Sequence, residues 1–131
     1  MEIAILDFIF SGTALTLTGA RKLAIYQTDP LENVTHGSAG EPTGGAYART
    51  AITFGAAVTS AGLGTILNSA DVVFPQATAV WRSGVDLAGW AIFDSTATNI
   101  ALMHGTFLVA KPVLSGDTAK VLKDNLTLTL D

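Results

Sequence analysis

The stretch Asn125-Leu126-Thr127-Leu128-Thr129-Leu130 decides how this chain reads. Leucine and threonine alternate strictly. A period of two places Leu126, Leu128 and Leu130 on one face and Thr127 and Thr129 on the other. Residues 14–18 repeat the idea, with Leu15 and Leu17 set against Thr16 and Thr18, although two short echoes do not make an internal repeat. Working outward, the apolar runs predict further strands over 21–28, 46–54, 64–74, 78–82, 85–94 and 99–110. In 21–28, Leu23 and Ile25 face one way while Ala24 and Tyr26 face the other, so this strand is expected to be covered on both sides. Gly55, Ala61-Gly62, Ser83-Gly84, Asp94-Ser95 and Ser115-Gly116-Asp117 supply the turns between runs. Strands at this spacing, with no second helical pattern, predict a mostly β chain built as an antiparallel β-sandwich of jelly-roll type.

One segment departs from that pattern. Residues 2–10 read as a short α-helix, with Ile3, Leu6 and Phe10 along one face and Ser11-Gly12 as the stop. So short a helix is marginal alone and needs a surface to dock on. Residues 1–12 are therefore expected to form an N-terminal helical arm. Residues 29–45 carry Asp29-Pro30, Gly37-Ser38-Ala39-Gly40, Glu41-Pro42 and Gly44-Gly45, which predicts one long loop. No break in composition divides the 131 residues, so a single domain over 1–131 is expected.

Composition excludes several functions. With no cysteine, disulfide scaffolds, thiol nucleophiles and thiolate metal sites are out. Seven Lys and Arg against eleven acids give a net charge of −4, without the basic stripe of a nucleic-acid binder. No apolar run reaches the length of a membrane span. The opening residues carry Glu2 and Asp7 and no basic lead-in, unlike a secretory signal. Charged residues make up 14% of the chain, against roughly 25% in an average soluble domain. So few charges point to a surface partly covered by other subunits.

Catalytic motifs are absent. His36 and His104 stand far apart, with no HxH, HExxH or HxxxH spacing to gather a metal. The acids occur singly, and Asp29, Asp94 and Asp117 are placed to cap turns. Gly62-Leu63-Gly64 lacks the rest of a phosphate-binding loop. Trp90 and Tyr26 read as core residues. Trp81, beside Arg82 at a strand end, and Tyr47 are candidates for an interface or a sugar platform. No catalytic, cofactor-binding or metal-ligating residue is assigned, and no cofactor is expected.

Taken in order, several phrases resemble a family of small virion proteins of tailed bacteriophages, often labelled tail fibre proteins. They are Leu23-Ala24-Ile25-Tyr26-Gln27-Thr28-Asp29-Pro30, then Gly45-Ala46-Tyr47-Ala48-Arg49, then Asn68 with Val73-Phe74-Pro75 and Ala77-Thr78-Ala79. Trp81, Trp90-Ala91-Ile92-Phe93-Asp94, His104-Gly105, Gly116-Asp117-Thr118 and the leucine–threonine ending complete the set. The resemblance covers nearly the whole chain. Two features depart from it: Val85-Asp86-Leu87-Ala88-Gly89 stands where a Thr-His is common, and the N-terminal helix is short.

The resemblance implies a non-enzymatic virion component, made in the host bacterial cytoplasm. Its partners would be the major capsid protein or other virion proteins and further copies of itself, a trimer being favoured, with neither nucleic acid nor membrane. A small, charge-poor β module with an apolar arm suits a capsid decoration or cement protein that bridges shell subunits. The alternatives are a tail fibre or other tail-associated protein and, from a different class, a carbohydrate-binding module. Ile3, Leu6, Phe10, His36, Glu41 and Trp81 are the residues expected to carry assembly contacts.

Overall fold

The computed structural model describes residues 10–12, 19–31, 40–94 and 101–130. Nine strands follow in order: β1 (Arg21–Tyr26), β2 (Thr50–Ala51), β3 (Val58–Ser60), β4 (Leu63–Leu67), β5 (Val72–Val73), β6 (Leu87–Asp94), β7 (Ala101–Lys111), β8 (Lys120–Val121) and β9 (Thr127–Leu130). All pairings are antiparallel. Among the described residues they make a four-stranded sheet in the order β2-β1-β6-β7, a three-stranded sheet β3-β4-β9 and the pair β5-β8. The mostly β, antiparallel expectation holds. The pairing, however, forms three sheets where a jelly roll would have two continuous ones, because β2, β5 and β8 are only two residues long.

The four-stranded sheet is the centre of the structure. As the alternation in 21–28 predicted, both faces are covered. Leu23 and Ile25 join Trp90, Ile92, Phe74 and Trp81 in the larger core. Ala24 and Tyr26 pack with Ala91, Phe93 and Ala101 on the opposite face. Strands buried on both sides read as continuous apolar runs, which is how Trp90-Ala91-Ile92-Phe93 reads. Cross-strand pairing sets Trp90 opposite Gly105. A Cβ at Gly105 would lie 2.8 Å from the Trp90 ring, so glycine is what lets the indole lie flat on β7.

Where the sequence reading and the fold part, the cause is local. The strand expected over 46–54 contracts to β2, because Ala46 turns left-handed (φ 61°) and the chain beyond it delivers Tyr47 and Arg49 inward instead of pairing. The run 64–74 splits into β4 and β5 at Asn68. That side chain is fully buried and replaces the ladder: its Nδ2 donates to the carbonyls of Ala70 and Leu122 (both 2.9 Å), and its Oδ1 accepts from the Leu126 amide (2.8 Å). Residues 78–82 hold no strand. Trp81–Gly84 is a short 3-10 turn in which Arg82 and Ser83 take left-handed φ values of 49° and 56°.

The hairpin β3-β4 turns on Ala61-Gly62, both at positive φ, and β3 itself was not anticipated because all three of its residues are exposed. The closing strand matches expectation in its outline: Leu126 is buried and Leu128 packs on the core. The strand expected at 14–18 lies outside the described residues. So does the expected helix at 2–10, except for Phe10, which is exposed.

Candidate assembly surface and the buried polar strap

Two features on and around the central sheet demand explanation: a charged cluster that is buried and an apolar bulge that is not. The first begins at Glu41. A carboxylate with 4% exposure needs partners, since an ion stripped of water without compensation costs several kcal/mol. Arg49 provides a two-pronged match, Nε to Oε1 at 2.7 Å and Nη2 to Oε2 at 2.8 Å. Parallel contacts of this kind are the strong form of the carboxylate–guanidinium pair. The hydroxyl of Tyr26 donates to Oε2 (3.3 Å) and that of Tyr47 to Oε1 (3.0 Å). Tyr47 in turn accepts from the Ile25 amide (3.2 Å). The Arg49 guanidinium lies 3.5 Å from the centre of the Phe93 ring, a cation–π contact.

Electrostatics follow from that packing. Burial, reinforced by the Glu41 charge, pushes the hydroxyls of Tyr26 and Tyr47 well above the ordinary tyrosine value. For Arg49 burial opposes the charge, but the hydrogen bond and charge of Glu41 outweigh it and hold the guanidinium above its usual value. The cluster therefore stays as an ion pair flanked by two neutral phenols. It straps residues 40–49 to β1 and β6. Further ties are the Gln27 amide to the Gly40 carbonyl (2.9 Å) and the Gly45 carbonyl, which accepts both the Thr78 amide and the Trp81 indole N–H (2.8 Å).

Two of the expected contact residues lie in and beside this cluster. Glu41 and Trp81 face inward, at 4% and 1% exposure, and are hydrogen-bonded within the chain. Ile3, Leu6 and His36 lie outside the described residues, and Phe10 is exposed. Of the residues expected to form a sugar platform, Trp81 is buried and Tyr47 is partly buried. Tyr47 packs edge-on to Trp81 with ring centres 5.1 Å apart.

The acids behave as turn and sheet residues. Asp29 accepts from the Leu31 amide and Asp117 from the Leu114 amide. Asp94 lies opposite Arg21 across the β1-β6 pair, with a 3.7 Å ionic contact. Sequence spacing missed one partner: the fold sets His104 Nδ1 2.7 Å from Asp29 Oδ1. It also missed Arg49, although an acid in an apolar strap implies a nearby cation. No group of three or more metal-ligating side chains exists among the described residues, and no described helix is long and apolar enough to cross a membrane.

The second feature is on β7. Leu87 pairs with Lys111 and Gly89 with Thr106, so Ala88 alone stands opposite the four residues 107–110. An ordinary bulge adds a single residue; this one pushes Leu108 and Val109 into water. The strap ties the polar residues to one another, and the bulge leaves apolar ones outside. The family described as podophage GP4 fiber I protein gp80 matches residues 1–129. The chain belongs to this family and is a structural protein of a phage virion. Among the curated proteins nothing matches it.

Proposed function

We propose that this chain is a non-enzymatic structural component of a phage tail fibre and not a cement of the head shell. The family match over residues 1–129 carries the reading, because that family is described by a fibre protein. The Glu41–Arg49 pair, buried and matched within the chain, fits a chain whose polar groups maintain its own shape. It would be made in the host cytoplasm, enter the virion, and contact other virion proteins and further copies of itself. The fibre reading displaces the capsid-cement expectation, which rested on size and low charge, properties a small fibre module shares.

Quantitative mass spectrometry of purified particles, together with immunogold labelling, tests the proposal. A copy number far below that of the major capsid protein, with label at the tail, is the expected result. A copy number near that of the capsid protein, with label over the head, would restore the cement reading. Host glycans should leave tryptophan fluorescence unchanged, since both indoles are buried.

A further inference from the structure

Among the exposed apolar residues, Leu108, Val109 and Leu122 line one groove of about 1040 Å³, together with Phe74, Leu87 and Trp90 of the main core. Leu108 is exposed at 105% and Val109 at 66%, so no described residue shields the tip of the bulge. The groove thus carries a projecting apolar knob beside an apolar hollow, on one face of one chain.

The rim identifies the occupant. Lys111, Lys120, Asp117 and Asp124 border the groove, two cations and two anions, with Lys120 also holding Asp71 at 2.7 Å. The chain as a whole carries −4, so most approaches of one copy to another are repulsive. At this rim the signs are mixed. A second identical rim can set Lys111 of each copy against an aspartate of the other, the complementarity that a symmetric contact uses. A strongly basic or acidic partner would find no matching field here.

We propose that the groove is a self-assembly surface, in which Leu108 and Val109 of one copy seat in the hollow of a neighbouring copy. The inference deepens the proposed structural role by naming the surface through which copies meet, and it rests on that reading only for the premise that the chain self-assembles. A protein found in the tail that nevertheless stays monomeric in solution would defeat the interface while leaving the fibre reading intact.

Sedimentation of the full chain across a concentration series tests it, with L108D and, as a control on an exposed valine that does not line the groove, V58D. Wild type should associate with increasing concentration. L108D should weaken that association by at least about tenfold, because a charge would have to be buried in an apolar seat, while V58D should match wild type. Circular dichroism melts establish that each variant is folded, and the Leu108 side chain is fully exposed. A wild type that is monomeric throughout, an L108D protein that associates like wild type, or equal weakening by V58D would each overturn the proposal.

Discussion

The Glu41–Arg49 strap and the β7 bulge invert the usual arrangement of a domain. In the strap a carboxylate and a guanidinium, with side chains 2% and 9% exposed, sit inside; in the bulge a leucine and a valine stand in water. The contrast shows where this charge-poor chain spends its polarity. Its polar groups fix the course of a glycine-rich segment that has little apolar surface of its own to bury. At the sheet edge, by contrast, Leu108 and Val109 stand exposed. Buried ion pairs are poor sources of net stability but costly to break, so a pair of this kind serves to specify one course for the loop.

The largest effect should come from cutting the strap. E41A leaves Arg49 buried without its counter-ion and two phenols without their acceptor. A loss of about 3–5 kcal/mol is expected, measured as a fall in the urea midpoint at unchanged slope. Replacing both ions, as in E41L/R49M, should recover much of that loss, since an apolar pair of similar volume carries no desolvation debt. If E41A costs less than about 1 kcal/mol, in the range of an exposed pair, the strap is not a buried cluster and the contrast with the bulge collapses.

Alkaline titration should give an intermediate effect. The hydroxyls of Tyr26 and Tyr47 ordinarily ionise near 10.0 and are pushed upward in the fold by burial and by Glu41. A raised folded value means that the native state holds its protons longer than the unfolded chain. The associated stability is therefore complete below about pH 10 and is lost as the pH climbs further. Unfolding midpoints measured from pH 8 to 11 should fall beyond that point, and Y26F should make the fall shallower at the cost of about 1 kcal/mol from its lost hydrogen bond. An equal slope in Y26F would remove the phenol from the account.

Much of the sheet was legible in advance, and for a physical reason. Strands that span the centre, such as β1 and β6, show their burial as apolar residues on both faces, and β9 shows it as strict alternation. The short strands were legible only in part, β2 and β5 as pieces of the longer runs 46–54 and 64–74 and β8 not at all. Two-residue ladders such as β2 and β8 leave no periodicity, and Asn68 ends a strand through side-chain hydrogen bonds to residues more than fifty positions away. The burial of Glu41 and Trp81 was not legible in the sequence. Glu41 sits in a glycine-rich, loop-like stretch, and only the position of Arg49 and two tyrosines in space explains its burial. Leu108 failed in the opposite sense. In the sequence it is one more apolar residue in a strand, and only the register of Gly89 with Thr106 and Leu87 with Lys111 lifts it out.

The smallest effect on stability should come from that same leucine. A side chain at 105% exposure has no cavity to leave and no packing to lose, so L108S should shift the unfolding free energy of the isolated chain by no more than about 0.5 kcal/mol. The measurement must be made at concentrations where the chain is monomeric, because association would stabilise wild type by mass action and make the substitution look costly. Repeated at high concentration, the same melt should separate the two proteins, with wild type rising and L108S staying where it was. A large loss in the dilute monomer would mean that the bulge packs against its own chain, and polar interior and apolar edge would then be parts of one core. Near-identity when dilute, and divergence when concentrated, would place the bulge's free energy in the assembly and the strap's in the fold.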